Sequence, residues 1–242
     1  MAVISLPFDK GRKLSIDVPD QNLMTIALPR FPPPAPSLMN SLKLAVQSPI
    51  GTSRLAEKAR RGHKVAIAVT DITRNSPDAS ISKIIIDELV QAGVREEDIC
   101  FFIALGSHRS MTPQEIEAKL GPRIARRFRV INHDWREERE LLFLGRSNGF
   151  PISINRRAAE ADLKIATGII EPHLFAGYSG GAKTTVIGLA GIETIGATHG
   201  YRILNHPGTR LGVTKGNVFQ EFIRDAGKLL GIDFIVNCLM DP

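Results

Sequence analysis

Short apolar runs alternate with helical periodicity along most of the chain beyond residue 63. The runs are rich in Val, Ile, Ala and Leu, and they fall at residues 64–69, 99–105, 129–132, 163–169 and 234–237. Helical patterns at 80–92 and 113–120 separate several of them. Runs that are apolar at nearly every position are typical of strands covered on both faces of a parallel sheet. The alternation therefore predicts an α/β fold, with a Rossmann-like parallel or mixed sheet and helices on both faces.

The two ends of the chain are predicted to differ from this pattern. Three short strands are expected at 3–7, 13–18 and 24–28, followed by a rigid proline-rich segment at 30–37 that joins elements rather than domains. Helices are expected at 37–47 and 220–230, and the last strand extends over 232–239. We expect residues 1–242 to form a single α/β domain, with a partner segment missing beyond its last strand.

Composition excludes several classes of protein. With 43% hydrophobic and 23% charged residues, the 242-residue chain is neither disordered nor fibrous. No apolar stretch approaches the roughly 20 residues that span a bilayer, and no secretory signal is evident, so we expect a cytoplasmic protein. Cys100 and Cys238 are too few for a disulfide framework. The net charge of +6 comes from basic clusters without interleaved aromatic residues, which argues against a nucleic-acid partner.

Polar residues follow three of the predicted strands, at the point where each strand ends. Asp71 and Arg74 follow the first buried run, His108 follows the second, and His173 follows the run at 163–169. Loops at the carboxyl ends of parallel strands form the ligand crevice of doubly wound folds. We therefore expect these side chains to converge at one edge of the sheet.

A glycine-rich loop follows His173 and ends in a lysine. Gly177, Gly180 and Gly181 permit close approach of the backbone to a ligand, and Ser179, Lys183 and Thr184 add polar groups. This combination is typical of anion-binding loops. The segment almost fits the phosphate-binding pattern G-x-x-x-x-G-K-[ST], but Ala182 replaces the last glycine. A degenerate nucleotide-binding loop and a simple glycine-rich turn remain the alternatives.

Three of the six histidines, His108, His173 and His199, lie in loops or at helix ends near these signals. Imidazole titrates near neutral pH and is also a good ligand for nickel, copper or zinc. No H-x-x-x-H pair or Cys-His pair with zinc-ligand spacing is present. Each histidine alone fits a hydrogen-bonded structural role, whereas together with Asp71 and Lys183 they form a candidate site.

The chain resembles the lactate racemase family, whose members use a nickel-pincer nucleotide to racemise or epimerise 2-hydroxy acids. The segments that carry the resemblance are Asp71-Ile-Thr-Arg74, Gly106-Ser-His108-Arg-Ser-Met-Thr112, Glu171-Pro-His173-Leu-Phe-Ala-Gly-Tyr-Ser-Gly-Gly-Ala-Lys183 and Gly188-Leu-Ala-Gly-Ile-Glu-Thr194, with His199 beyond them. The resemblance covers nearly the whole chain but corresponds to the larger N-terminal domain of the family. The smaller C-terminal domain, which closes the cleft, is expected from residues outside this sequence.

The resemblance also implies roles for individual residues. Lys183 would carry the covalently bound nucleotide through a thioamide, and His199 would bind nickel together with a sulfur and a ring carbon of the cofactor. His108 and His173 would act as the two general bases, with Arg74 and Asp71 as further catalytic residues. The remaining cofactor contacts would come from the glycine-rich loop, namely Gly177, Ser179, Gly180, Gly181 and Thr184.

The expected partners are a small 2-hydroxy acid and the enzymes that build the cofactor. We expect binding neither to nucleic acid nor to a membrane. The alternatives from the residues alone are a phosphate- or nucleotide-binding module and a catalytically incomplete fragment.

Overall fold

The computed structural model describes residues 1–8, 11–27 and 33–240. The described chain forms two compact units, 1–35 and 36–240, with the boundary inside the proline-rich segment. That segment was expected to join elements. Its residues 30–32 lie outside the described ranges, as do residues 28 and 29 before it. The expectation that residues 1–242 form a single α/β domain stays a prediction.

The N-terminal unit is an antiparallel hairpin of β1 (Ala2–Pro7) and β2 (Lys13–Val18). Its register pairs Ile4 with Ile16 and Leu6 with Leu14, so these apolar side chains share one face. Residues 24–27 form no strand, so the strand predicted at 24–28 is wrong over these positions. Residue 28 lies outside the described residues.

The main unit alternates strands and helices. Its strands are β3 (Val65–Thr70), β4 (Ile99–Ala104), β5 (Arg129–Asn132), β6 (Leu141–Ser147), β7 (Phe150–Asn155), β8 (Leu163–Ile169), β9 (Pro172–His173), β10 (Gly177–Tyr178) and β11 (Phe234–Cys238). Its helices are α1 (Leu38–Gln47), α2 (Leu55–Lys58), α3 (Asp78–Gln91), α4 (Pro113–Leu120), α5 (Pro122–Arg127), α6 (Arg156–Ala159), α7 (Lys183–Val186), α8 (Ile192–Thr198), α9 (Tyr201–Leu204) and α10 (Val218–Leu230). None of the helices in the described ranges combines the length and apolar character needed to cross a bilayer.

Five strands form the central sheet in the order β11-β8-β3-β4-β5, and all neighbouring pairs are parallel. The predicted α/β fold with a parallel sheet is therefore confirmed. Because the strands run in one direction, the loops after β3, β4 and β8 leave the sheet at the same edge.

Each face of the sheet has its own hydrophobic core. On β3, Val65, Ile67 and Val69 belong to the core that includes residues of α1 to α5, whereas Ala66 and Ala68 belong to the other core. The second core contains residues of α6 to α10 and of β7. The small alanine side chains on this face let α7 lie against β3. This helix begins with the lysine of the glycine-rich loop.

An antiparallel hairpin of β6 and β7 was not predicted from the sequence. Asn148 and Gly149 connect its strands and both have positive φ, 50° and 84°. This is the conformation that two-residue hairpin turns require, and Asn-Gly is the dipeptide that best adopts it. The side chains of Ile152 and Ile154 in β7 are fully buried in the second core.

Candidate active site

A cavity of about 450 Å³ lies at the carboxyl edge of the sheet. It is lined by residues from the loops after β3, β4 and β8, from the glycine-rich loop with α7, and from the end of α8. Nine of the predicted site residues line it: Asp71, Arg74, His108, His173, Ser179, Gly180, Lys183, Thr184 and His199. Gly177 and Gly181 are not among the lining residues.

Asp71 and His108 are hydrogen-bonded through Oδ2 of the carboxylate and Nδ1 of the imidazole. Oδ1 of Asp71 accepts hydrogen bonds from the backbone N–H and the hydroxyl of Thr73, at 3.0 and 2.5 Å. Burial alone would raise the pKa of the Asp71 carboxyl, but the hydrogen bonds from Thr73 and His108 outweigh it, and the pKa lies below the ordinary value. The ionised carboxylate only accepts hydrogen bonds, so Nδ1 of His108 carries a proton in this contact, and in the neutral imidazole Nε2 then keeps its lone pair.

His173 has the opposite arrangement. Its Nδ1 accepts hydrogen bonds from the backbone N–H groups of Phe175 and Ala176, at 3.2 and 3.1 Å. A neutral imidazole whose Nδ1 accepts must carry its proton on Nε2, so His173 presents an N–H group. Burial, and then the positive charges of Lys183 and Arg74, lower the pKa of His173 to about 4. His173 is therefore neutral at pH 7.

His199 follows α8 and is held by the last turn of that helix. Its Nδ1 lies 3.0 Å from the carbonyl oxygen of Ile195 and 3.0 Å from the hydroxyl of Thr198. Donation from Nδ1 to the carbonyl leaves the Nε2 lone pair free. A backbone carbonyl that fixes the tautomer in this way is typical of histidines that bind metals through Nε2. Burial lowers the pKa of His199 and favours this neutral form.

Lys183 begins α7 and its side chain lies in a largely desolvated position. Burial, followed by the nearby guanidinium of Arg74, lowers the pKa of the Lys183 amine to about 8, although the carboxylate of Asp71 acts in the opposite direction. Among the described residues, no acidic side chain forms an ion pair with Lys183. A lysine amine with a lowered pKa is partly deprotonated near neutral pH and can act as a nucleophile.

The glycine-rich loop is pinned to β11 and to the chain that follows β8. The backbone N–H of Gly181 donates to Oδ1 of Asn237, at 3.1 Å. The hydroxyl of Ser179 donates to the carbonyl of Ile169 at 2.6 Å and accepts from the N–H of Glu171 at 2.9 Å. These contacts fix the loop beneath Lys183. Sequence reasoning did not predict this contact.

Gly177 has a structural function. It has a φ of +77°, and a Cβ atom at this position would lie 2.1 Å from the carbonyl oxygen of Val213. Its own carbonyl accepts a hydrogen bond from Gly212. A side chain is therefore excluded at Gly177 by the packing of the loop, and the cofactor contact predicted for this residue stays a prediction.

Arg74 lies at the rim of the cavity, with its guanidinium 3.9 Å from a carboxylate oxygen of Glu171. Both side chains are partly exposed, so the attraction between them is weak. Guanidinium groups bind carboxylates and phosphates in a bidentate manner. The guanidinium of Arg74 can therefore release the Glu171 carboxylate and bind an anionic ligand in its place.

The described residues contain no group of three or more His, Cys, Asp or Glu side chains that could hold a metal ion by themselves. His199 can supply one imidazole ligand, and any further ligands would come from a bound molecule. The amine of Lys183 in the same cavity is suited to holding such a molecule covalently.

The fold and the cavity define an α/β protein with a lysine- and histidine-lined site at the carboxyl edge of a parallel sheet. The family model of the lactate racemase N-terminal domain matches residues 8–212. The chain belongs to this family.

Two curated relatives are called lactate racemase. That of Thermoanaerobacterium thermosaccharolyticum is 32% identical and that of Lactiplantibacillus plantarum is 31% identical, each over the whole of this chain and 57% of the relative. The chain thus spans just over half the length of the curated relatives it matches.

Two solved structures have a similar fold. The lactate racemase apoprotein of T. thermosaccharolyticum superposes with a TM-score of 0.87 and 33% identity, over 99% of this chain and 56% of that protein. A protein of Thermotoga maritima superposes with a TM-score of 0.66 at 24% identity, over 84% of this chain and 50% of that protein. This second similarity concerns the fold alone.

Proposed function

We propose that this chain is the cofactor-binding and proton-transferring domain of an enzyme that racemises or epimerises a small 2-hydroxy acid. The observation that carries the proposal is one cavity that brings a partly deprotonated lysine together with three imidazoles whose free nitrogens differ. Membership of the lactate racemase N-terminal domain family supports it. This chain aligns with just over half of each curated relative. We therefore assign the activity to the whole protein and not to this chain alone.

The residues of the cavity fit the nickel-pincer nucleotide predicted from the family resemblance. Lys183 would hold the nucleotide covalently through its amine, and Nε2 of His199 would bind the nickel. A single imidazole ligand would suffice, because the remaining donors would belong to the cofactor. When bound, the cofactor supplies an acceptor for the α-hydrogen of the substrate together with its electron pair.

His108 would remove the proton of the substrate hydroxyl. In the neutral form with Nδ1–H its Nε2 can accept this proton, and the Asp71 carboxylate at Nδ1 would stabilise the imidazolium that forms. Loss of the hydroxyl proton and of the α-hydrogen with its electron pair leaves a planar 2-keto acid. This route avoids a carbanion beside the carboxylate. Arg74 at the cavity rim would bind the substrate carboxylate.

His173 would serve the opposite face of the substrate. In this structure it presents Nε2–H, so it is a hydrogen-bond donor to the substrate oxygen. To accept a proton at Nε2, the imidazole must first move its proton to Nδ1 and release the two backbone N–H groups. The two histidines are thus unequal in the state described, and the predicted role of His173 as a second general base requires this rearrangement.

The nucleotide phosphate would lie beside the glycine-rich loop, near the Gly180 backbone and the Thr184 hydroxyl, which both line the cavity. The N–H of Gly181 is already bonded to Asn237, and the oxygen of Ser179 is bonded to backbone groups. We therefore propose that Ser179 and Gly181 shape the loop, whereas Gly180 and Thr184 contact the cofactor. The helix that follows has four residues, so its dipole adds little to anion binding.

The test is intact-mass analysis of the chain after co-expression with the enzymes that build the cofactor. We expect a covalent adduct with one nickel per chain, and peptide mapping should place the adduct on Lys183. Lys183→Met should abolish the adduct, whereas the matched variant Lys215→Met, at an exposed loop position, should retain it. An unmodified Lys183 in protein that carries nickel would contradict the covalent attachment.

The alternative function is that of a phosphate- or nucleotide-binding module, or of a fragment without activity. Binding of a nucleoside triphosphate without any mass increase would favour the module. The expected partners are the 2-hydroxy acid, the cofactor-building enzymes and the segment that corresponds to the second half of the relatives. A cytoplasmic location also stays a prediction.

A further inference from the structure

A buried ion pair lies next to the loop that carries Asp71 and Arg74. The ammonium of Lys119 in α4 is 2.9 Å from Oδ2 of Asp78, the first residue of α3. The side chain of Lys119 is 8% exposed and that of Asp78 is fully buried. Ion pairs at this depth are unusual, because desolvation of two charges is costly. The other contacts of this pair must therefore compensate for the cost, and they indicate which segments the pair holds together.

The carboxylate of Asp78 has further partners that connect the pair to the sheet. Oδ2 of Asp78 accepts from the hydroxyl of Thr70 at 2.7 Å, and Oδ1 accepts from the hydroxyl of Thr167 at 2.8 Å. Thr70 is the last residue of β3 and Thr167 lies in β8. The carboxylate thus joins the neighbouring strands β3 and β8.

The ammonium of Lys119 has a second acceptor, the backbone carbonyl of Arg74, at 2.5 Å. The N–H of Arg74 donates in turn to the carbonyl of Asp71, which closes a turn over residues 71–74. Asp71 is the first residue of this turn, and its carboxylate contacts both Thr73 within the turn and His108. Lys119 thereby fixes the end of the turn opposite to Asp71.

We propose that Lys119 is a positioning residue, which holds the turn over 71–74 so that Asp71 keeps His108 in its Nδ1–H tautomer. The helix that carries Lys119 also follows the His108 loop and begins after Thr112, which caps it. The ammonium therefore links the turn that contains Asp71 to the helix that follows the His108 loop. The consequence for catalysis rests on the proposed function, whereas the tautomer of His108 is measurable without turnover.

The experiment compares imidazole tautomers by long-range ¹H–¹⁵N correlation spectra of the chain. Lys119→Met removes the ammonium but leaves the Asp78 charge buried, so the double variant Lys119→Met with Asp78→Asn removes both charges together. In the double variant we expect His108 to lose the Nδ1–H signature and to populate mainly the Nε2–H form. His199 and His133 serve as internal controls, because their ring nitrogens are held by the carbonyls of Ile195 and Ala190.

A matched surface variant, Lys83→Met, removes a lysine of the exposed Lys83–Asp87 pair and should leave all three tautomers unchanged. A folded double variant in which His108 keeps its Nδ1–H form would overturn the proposal. So would a change at His199 and His133 as large as that at His108, or failure of both Lys119 variants to fold, since the pair would then support the fold as a whole. If the wild-type chain carries no adduct on Lys183 after co-expression with the cofactor-building enzymes, the proposed function is refuted. The result for the His108 tautomer is unaffected by that outcome.

Discussion

Asn237 accepts a hydrogen bond from the backbone of Gly181 across 56 residues of sequence, at 3.1 Å. The asparagine belongs to the edge strand β11, and the glycine lies in the loop that precedes Lys183. The contact joins the last strand of the sheet to the loop that positions the lysine. The glycine-rich loop is thus held in part by a strand far from it in sequence.

The first prediction concerns this contact. Asn237→Ala should lower the free energy of unfolding by about 0.5–1.5 kcal/mol, the usual contribution of one hydrogen bond. Asn237→Asp keeps an acceptor for the Gly181 N–H and should retain most of that stability. Urea denaturation of the two variants and the wild type measures the difference. Equal stability of wild type and Asn237→Ala would show that the bond contributes nothing.

The second prediction concerns the reactivity of Lys183. Because the pKa of its amine is about 8 rather than the ordinary 10.5, trace acetylation should reach half its maximal rate near pH 8. Arg74→Met removes a neighbouring positive charge and should move this midpoint to higher pH. Arg126→Met, which removes an exposed guanidinium of α5, should not. Peptide mass spectrometry at a series of pH values provides the rates, and a midpoint above pH 10 in the wild type would refute the prediction.

The third prediction concerns the pH dependence of stability caused by His173. Its pKa is about 4 in the folded chain and close to the ordinary 6.5 when unfolded, so below pH 6.5 the unfolded state binds a proton that the folded state does not. The stability contributed by this histidine is therefore present above pH 6.5 and is lost as the pH falls toward 4. His173→Asn retains an acceptor near the position of Nδ1 and does not titrate.

The free-energy difference between wild type and His173→Asn should consequently shift in favour of the variant as the pH decreases from 7 to 4. Denaturant unfolding at four or five pH values checks this. A difference that stays constant over the range would mean that His173 titrates alike in both states.

The fourth prediction concerns Gly188, which follows α7. A Cβ atom here would lie 2.3 Å from the carbonyl oxygen of Thr184 and 2.5 Å from Cβ of Ala104. Both neighbours belong to rigid elements, so Gly188→Ala should destabilise the chain by about 1–3 kcal/mol. Gly196→Ala is the matched control, because its added methyl group meets no atom within 4 Å and it lies within α8. The control should be neutral or more stable, by up to about 1 kcal/mol. Thermal and urea unfolding compare the two, and similar effects would contradict the packing argument.

The part of the site that follows from the sequence is its location. Asp71, His108 and His173 were predicted to converge because each follows an apolar run, and parallel strands end at one edge. This reasoning uses only the periodicity of the chain. It needs no knowledge of which strands are neighbours, and for that reason it succeeds although the strand order was not predicted.

The protonation of the imidazoles could not be predicted in this way. His108 and His199 have carbonyl or carboxylate acceptors at Nδ1, whereas His173 has N–H donors there. The difference depends on local backbone geometry and on Asp71, which lies 37 residues from His108. The contacts of Lys119 and Asn237 likewise join distant segments. The hairpin of β6 and β7, by contrast, had a local signal in Asn148 and Gly149 that sequence reasoning overlooked.

Successive side chains of β3 point into two different cores, and this determines how substitutions along the strand affect the protein. Val65, Ile67 and Val69 face helices that are remote from the lysine, whereas Ala66 and Ala68 face the core that contains α7. Enlarging an alanine would displace the lysine helix, whereas trimming a valine would loosen the opposite layer. The effects of a saturation scan along this one strand should therefore alternate with a period of two residues. Substitutions at the valine and isoleucine positions should lower the thermal stability, whereas those at the alanine positions should leave the chain folded but reduce loading of the proposed cofactor on Lys183.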